Sequence, residues 1–85
     1  MKEFSYTITD PLGIHARPAG IIVKKAGAYE STIEIIKGEK TADAKRIFSL
    51  MGLAAKGGDT ISVRCSGSDE DTASDELKKL FEENL

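Results

Sequence analysis

Residues 13–20, GIHARPAG, connect a strand-like pattern to a helical one and contain the only histidine of the chain. Within this stretch, Pro18 is compatible only with the first turn of a helix, because proline has a fixed φ and no amide hydrogen. Residues 17–29, RPAGIIVKKAGAY, then place Pro18, Ile22 and Ala26 four residues apart. This spacing predicts a helix with one buried face, and the histidine lies just before it.

Alternating apolar and polar residues predict three half-buried β-strands. They are residues 3–9 (EFSYTIT), 31–38 (STIEIIKG) and 60–67 (TISVRCSG). Residues 39–44, EKTADA, follow Gly38 and are expected to form a short partner strand. The single cysteine, Cys65, lies on the apolar side of its strand, which favours a buried structural thiol over a reactive one.

Two further segments have helical spacing. In residues 45–54, KRIFSLMGLA, the apolar positions are Ile47, Leu50 and Met51. Residues 68–85, SDEDTASDELKKLFEENL, are predicted to form a helix capped by Ser68, with acidic residues in the first turn, where the helix dipole favours them. The buried side of this last helix is expected to consist of Leu77, Leu80 and Phe81.

The predicted order of elements is βαββαβα. Three amphipathic helices bury their apolar faces when they cover one face of a four-stranded, mainly antiparallel sheet. We therefore predict a two-layer α+β fold, formed by residues 1–85 as one domain.

Composition excludes several classes of protein. An apolar fraction of 40% and a charged fraction of 31% are typical of a globular domain, and no apolar run is long enough to cross a membrane. The first ten residues lack the apolar region of a signal peptide, and one cysteine cannot form an internal disulfide, so a cytoplasmic location is expected. A net charge of −2 argues against general nucleic-acid binding.

Basic residues are concentrated in the first half of the chain, whereas the last segment is acidic. The basic set comprises Arg17, Lys24, Lys25, Lys45 and Arg46. Two interpretations remain open at this point: these side chains face an acidic partner or a phosphate, or they are simply solvated surface cations.

The position of His15 suits phosphoryl transfer. Amides in the first turn of a helix lack intrahelical acceptors, and the helix dipole makes that end partly positive, so the site favours an anion. Arg17 adds a guanidinium that can hold phosphoryl oxygens. A positive environment favours the neutral, nucleophilic imidazole, so we predict reversible phosphoryl transfer through His15. The alternative is a structural or merely exposed histidine.

Other candidate sites are weaker. No cluster of residues has the spacing of a metal site, so neither a metal nor a cofactor is expected. Residues 38–41, GEKT, resemble the end of a P-loop, but Glu39 interrupts the required Gly-Lys pair. Without a nucleotide site or a second base, the chain is expected to receive its phosphate from another protein.

Apolar residues near the predicted second helix have two interpretations. Ile47, Phe48, Leu50 and Met51 are either all part of the core or partly exposed as a docking patch, and Ile21 on the first helix raises the same question. A docking patch would flank His15 if the two helices pack side by side.

The motif GIHARPAG and the predicted element order resemble the HPr family, the histidine-containing phosphocarrier proteins of the phosphoenolpyruvate-dependent sugar phosphotransferase system. Residues 38–45 (GEKTADAK) and 55–70 (AKGGDTISVRCSGSDE) also resemble family stretches, so the similarity covers essentially the whole chain. The resemblance implies an open-faced β-sandwich that acts as a monomeric phosphoryl carrier and not as an enzyme.

The resemblance also implies roles for individual residues. His15 would accept phosphate on Nδ1 from phosphorylated enzyme I and pass it to the IIA components of sugar permeases. Arg17 would stabilise the phosphate, and the amides of Ala16 and Arg17 would face it. The positions implied for partner docking are Gly20, Lys24, Arg46, Ile47, Phe48 and Met51.

Two positions depart from the family pattern. Gly20 stands where the family usually has a small residue with a side chain, and glycine costs a helix about 1 kcal/mol relative to alanine. Arg46 stands where many members have a regulatory serine, so we predict that serine-kinase control at this position is absent. Ser49, three residues later, has two interpretations: a substitute regulatory serine or, as we expect, an ordinary exposed helix serine.

Two competing functions are retained. One is an HPr-like paralogue that acts mainly in a regulatory phosphorelay. The other is a small enzyme that binds phosphate or cleaves acyl phosphates, for which one histidine without a partner base is poorly suited.

Overall fold

The computed structural model describes residues 1–85 and has the predicted βαββαβα order. The elements are β1 (Lys2–Thr7), α1 (Ala16–Ala26), β2 (Thr32–Lys37), β3 (Lys40–Asp43), α2 (Ile47–Met51), β4 (Thr60–Ser66) and α3 (Glu70–Asn84). None of the helices has both the length and the apolar composition needed to cross a membrane.

The four strands form one sheet in the order β1-β4-β2-β3, and every neighbouring pair is antiparallel. One row of apolar residues crosses the whole sheet: Phe4 lies opposite Val63, Val63 opposite Ile35, and Ile35 opposite Ala42. Since residues directly opposite each other share a face, this register turns the apolar side of each strand toward the same layer. The predicted α+β fold is confirmed.

The three helices cover this apolar face of the sheet. Their fully buried side chains include Ile22 and Ala26 of α1, Leu50 of α2, and Leu77 and Phe81 of α3. Leu80, expected in the buried stripe of α3, is only partly buried. The rings of Phe4 and Tyr6 each meet Phe81 edge-on, with ring centroids 5.9 Å apart, an arrangement that aromatic pairs prefer.

Cys65 lies inside the core, as the alternation of its strand predicted. The side chain is fully buried, and burial raises the pKa of the thiol above its ordinary value. A thiol in this environment is poorly ionised and therefore a poor nucleophile.

The start of α3 differs from the prediction, and Ser68 is not its cap. The helix begins at Glu70, and the Ser68 hydroxyl donates instead to Glu30 Oε2, at 3.1 Å. The Gly67 amide donates to Glu70 Oε1 at 3.2 Å, so the first helical glutamate turns back toward the chain that precedes it. The acidic first turn, formed by Glu70 and Asp71, agrees with the prediction.

Asp69 occupies the cap position of α3, but its side chain does not cap the helix either. Its carboxylate accepts hydrogen bonds from the amides of Glu30 and Ser31, at 2.9 and 3.0 Å, and from the Ser31 hydroxyl. These bonds join the residue before α3 to the loop before β2, 38 residues away along the chain for Ser31. The carboxylate is therefore used in a tertiary contact that the local sequence pattern does not reveal.

The segment that follows α2 contains a residue in an unfavourable backbone conformation. Ala54 has φ = 51°, in the left-handed region, where a Cβ atom is sterically disfavoured. Lys37 Nζ holds this segment in place by donating to the carbonyl oxygens of Leu53 and Ala54, at 3.1 and 3.0 Å.

We expect the substitution Ala54→Gly to stabilise the fold. Removal of the Cβ relieves a cost of about 1–2 kcal/mol, part of which is offset by the greater freedom of glycine in the unfolded chain, so the expected gain is about 1 kcal/mol. Chemical denaturation measures the free energy of unfolding. Ala28→Gly, an exposed alanine without a positive φ, is the matched control and is expected to destabilise. A variant Ala54→Gly no more stable than the parent would contradict the strain assigned to Ala54.

The contact of Asp69 predicts a dependence of stability on pH. The Ser31 hydroxyl, followed by the Glu30 amide, holds the pKa of Asp69 below its ordinary value of 3.8. A carboxyl group with a lowered pKa in the folded state stabilises the fold above its ordinary pKa, and this contribution is lost as the pH falls through the lowered value.

Denaturation measured at a series of pH values tests this prediction. Asp69→Asn is expected to lower stability at pH 7 and to weaken the loss of stability below about pH 4. Asp75→Asn, on the exposed side of α3 and without an ion pair, is expected to change neither. If Asp69→Asn and the parent lose stability in parallel on acidification, the assignment is wrong.

Candidate functional site

The loop between β1 and α1 fixes the position of His15. The Ile14 amide donates to the Ala55 carbonyl oxygen at 3.0 Å, which attaches this loop to the segment after α2. Gly13 has φ = 64°, and a Cβ at this position would lie 2.0 Å from the same oxygen. The close approach therefore requires glycine, and the sequence GIH places the histidine directly after this attachment point.

His15 is the residue that precedes the first turn of α1, which begins at Ala16. Its carbonyl oxygen accepts the Ala19 amide at 2.9 Å, and Pro18 has no amide hydrogen. The amides of Ala16 and Arg17 have no acceptor within the chain, and no side chain caps this helix end. Two free donors and the positive end of the helix dipole are thus adjacent to the imidazole.

The imidazole lies in a small open depression of about 120 Å³. Its lining residues are Asp10, His15, Arg17, Pro18, Ile21, Glu83 and Asn84. The His15 side chain is 38% exposed, so a reacting group can reach it. Arg17 is exposed and forms no ion pair, which leaves its guanidinium free for an anion. The structure therefore brings His15 and Arg17 together, as expected from the sequence, and places Ile21, whose interpretation was open, in the same depression.

Acidic residues near the imidazole were missed in the sequence. Asp10 Oδ2 lies 4.0 Å from His15 Nε2, and Glu83 lines the same depression. The expected environment was purely positive, whereas the imidazole in fact lies between a positive helix end and these carboxylates. Asp10 stands five residues before His15, and no local pattern in the sequence indicates that its carboxylate reaches the imidazole. Glu83 reaches the site because α3 ends beside it, which depends on tertiary structure.

The apolar residues of α2 are divided between core and surface. Leu50 is fully buried and Ile47 is partly buried, whereas Phe48 is 85% exposed and Met51 is 39% exposed. The docking interpretation therefore fits Phe48 and Met51, and the core interpretation fits Leu50. Lys24 is exposed on α1, and α1 packs against α2. Leu12, 68% exposed in the loop before His15, is a further exposed apolar residue that was not predicted.

Comparison with known proteins identifies the family. The family model described as "PTS HPr component phosphorylation site" matches residues 2–83. The chain belongs to the HPr family. It is 46% identical to the phosphocarrier protein HPr of Lysinibacillus sphaericus over 83 residues, which cover 98% of this chain and 94% of that relative. The family predicted from GIHARPAG is thereby confirmed.

Solved structures of HPr-like proteins have the same fold. HPr of Thermoanaerobacter tengcongensis matches with a TM-score of 0.92 and 35% identity, over 96% of this chain and 92% of that one. The Crh protein of Bacillus subtilis, described as a dimer with a swapped domain, matches with a TM-score of 0.79 and 29% identity. That match covers 100% of this chain and 98% of the Crh chain.

The two positions that depart from the family pattern lie at the surface. A Cβ on Gly20 would meet no atom within 4 Å, so packing does not require glycine there. Arg46 precedes α2, and its guanidinium Nε lies 3.7 Å from Asp43 Oδ2 in an ion pair whose arginine side chain is 80% exposed. Ser49 is not an ordinary exposed serine: it is partly buried, and its hydroxyl accepts the Asp43 amide at 3.0 Å.

No group of three or more histidine, cysteine or acidic side chains is arranged to hold a metal ion. The residues available for chemistry at the site are the imidazole, the guanidinium, the nearby carboxylates and the backbone amides around them.

Proposed function

We propose that this HPr-family phosphocarrier accepts a phosphoryl group on His15 from phosphorylated enzyme I and transfers it to the IIA components of sugar permeases. The main support is the accessible imidazole at the start of α1, next to two amides without acceptors and an unpaired Arg17. These donors suit the three oxygens of a phosphoryl group that is bound to the ring through a P–N bond.

The transfer step needs no atom beyond those of the imidazole and the donor. The lone pair of Nδ1 attacks phosphorus, a P–N bond forms, and the bond between phosphorus and the donor breaks. Negative charge on the phosphoryl oxygens grows close to Arg17 and to the amides of Ala16 and Arg17. Donors already in place stabilise this charge without reorganisation during the reaction.

We infer that the chain is a stoichiometric carrier and has no catalytic turnover of its own. A hydrolytic enzyme needs a group that activates water, and His15 is the only imidazole. A phosphoryl group bound to that imidazole leaves no second histidine, so only the Asp10 and Glu83 carboxylates of the depression remain as bases. A small acyl-phosphate-cleaving enzyme is therefore a less suitable interpretation.

Partner docking is assigned to a surface formed by Gly20, Lys24, Arg46, Ile47, Phe48 and Met51, named the docking surface below. Phe48 and Met51 supply exposed apolar area, and Lys24 and Arg46 supply positive charge. An apolar patch with basic residues around it suits a partner with an apolar centre and an acidic rim. Open space at Gly20 lets a partner approach the helix backbone closely.

Several properties follow from this proposal. The proposed site uses groups of one chain only, so a monomer formed by the single domain of residues 1–85 is sufficient. A cytoplasmic location is part of the same proposal, because one cysteine cannot form an internal disulfide, which fits a reducing compartment. Control by a serine kinase at position 46 is absent, because arginine has no hydroxyl group to phosphorylate. A mainly regulatory role is less well supported, since identity to the Lysinibacillus HPr is 46% and identity to Crh is 29%.

The first test of the proposal uses enzyme I, a IIA protein and labelled phosphoenolpyruvate. The parent protein is expected to acquire acid-labile label and pass it to the IIA protein, whereas His15→Ala acquires none. Arg17→Ala is expected to slow transfer about 100-fold, because one charged donor to the phosphoryl group is lost. Arg64→Ala removes an exposed arginine from the sheet and serves as the control. A parent protein that remains unlabelled would contradict the proposal.

The second test concerns the docking surface. Phe48→Ala is expected to raise the KM for phosphoryl transfer from enzyme I roughly 5- to 30-fold, as loss of an aromatic interface residue does. Its free energy of unfolding is expected to change by less than about 0.5 kcal/mol, because the ring is already exposed. Ile36→Thr, on the face of the sheet opposite the helices, is the control. An unchanged KM in Phe48→Ala would place the docking site elsewhere.

A further inference from the structure

We propose that Asp10 is a positioning residue for His15. Its carboxylate holds a proton on Nε2 of the imidazole, so that the lone pair is on Nδ1, the nitrogen that accepts the phosphoryl group. This inference rests on the function proposed above and adds to it the residue that determines which ring nitrogen is free to accept the phosphoryl group. The observation that carries it is the approach of Asp10 Oδ2 to His15 Nε2, at 4.0 Å.

Three hydrogen bonds fix Asp10 in place. Its amide donates to the Leu85 carbonyl oxygen at 2.7 Å, its carbonyl oxygen accepts the Gly13 amide at 2.9 Å, and Oδ1 accepts the Leu12 amide at 2.9 Å. The turn therefore uses only one carboxylate oxygen. The other oxygen, Oδ2, is not used by the turn, and the imidazole is the only charged or polar side chain found next to it.

A carboxylate beside one ring nitrogen selects the tautomer of a neutral histidine. Neutral imidazole carries a proton on one nitrogen and a lone pair on the other, and a carboxylate accepts hydrogen bonds but donates none. The protonated nitrogen is therefore the one that faces Asp10. At 4.0 Å the attraction between Oδ2 and Nε2 is electrostatic. A modest rotation of either side chain would bring these two atoms within hydrogen-bond distance, and catalytic contacts often tighten in this way during reaction.

The same proton matters when the phosphoryl group is transferred. Attack by Nδ1 forms the P–N bond, breaks the bond from phosphorus to the donor, and leaves a positively charged ring that keeps its proton on Nε2. Asp10 stabilises that positive charge. In the return step the P–N electron pair goes back to Nδ1, and a neutral imidazole leaves. Without the Nε2 proton the leaving group would be an imidazolate anion, a much poorer leaving group.

The other charged groups around the imidazole have different positions. Arg17 and the amides of the first turn approach from α1, where the phosphoryl oxygens would lie, and Glu83 lines the depression from the end of α3. Only the Asp10 carboxylate lies within 4.0 Å of a ring nitrogen. Glu83 therefore provides a control that changes the charge of the depression without changing the neighbour of Nε2.

Nitrogen-15 NMR of the single histidine tests the proposal in the unphosphorylated protein, at a pH where the ring is neutral. The parent is expected to hold the proton mainly on Nε2. In Asp10→Asn the amide oxygen still accepts the Leu12 amide, and the NH2 group then faces the ring. This change is expected to shift the tautomer ratio about tenfold toward the form protonated on Nδ1.

Asp10→Ser keeps a hydroxyl oxygen that can accept the Leu12 amide in the turn, but it has no negative charge. It is expected to shift the tautomer ratio of His15 in the same direction as Asp10→Asn, by a smaller amount. Glu83→Gln is expected to leave the ratio within about twofold of the parent, because Glu83 lines the depression but does not lie within 4.0 Å of a ring nitrogen. Equal ratios in the parent and in Asp10→Asn, or an equal shift in Glu83→Gln, would overturn the proposal. Denaturation of each variant verifies that it is folded.

Phosphorylated protein supplies a second, independent measurement. Asp10→Asn is expected to slow both loading from enzyme I and unloading to a IIA protein about tenfold, with little change in KM. If the parent accepts no phosphate, the proposed function fails, while the tautomer ratio still decides the role of Asp10. If the parent transfers phosphate normally and Asp10→Asn matches it in ratio and rate, only the inference about Asp10 fails.

Discussion

The hydrogen bond between the Ile14 amide and the Ala55 carbonyl oxygen holds the start of α1 against the segment that follows α2. It forms only because Gly13 adopts φ = 64° and has no Cβ to collide with that oxygen. His15 comes next, so this contact determines where the imidazole meets the free amides of the helix. Leu85 reinforces the same loop through its carbonyl oxygen, which accepts the amides of Thr9 and Asp10. Residues distant in sequence thus converge on one short connection.

Much of the fold could be predicted from the sequence because the strands and helices have clear apolar periodicity. Alternation placed Val63 and Cys65 on the buried face of β4, and the sheet register agrees. The cap of α3 could not be predicted in this way, because the Ser68 hydroxyl bonds to Glu30 and the Asp69 carboxylate bonds to Ser31, both in a loop distant in sequence. Local motifs predict a cap only when no tertiary partner competes for the same side chain.

The candidate site was predictable in part for a similar reason. His15 and Arg17 lie two residues apart at a helix start, so their proximity follows from the sequence alone. Asp10 required knowledge of how the turn directs its carboxylate, and Glu83 required the packing of the last helix beside the first. Because of these acidic groups, the pocket is not purely positive: the imidazole lies between hydrogen-bond donors on one side and a carboxylate on the other. This arrangement suits both the gain and the loss of a phosphoryl group.

We propose that the first-turn amides of α1 hold the phosphoryl group on His15. The most direct measurement is a comparison of amide 1H–15N spectra before and after phosphorylation. We expect the amide protons of Ala16 and Arg17 to move furthest downfield, because both become donors to charged oxygens. The amides of β3, remote from the site, are expected to stay unchanged. Phosphorylation that leaves the Ala16 and Arg17 amides unmoved would contradict the claim.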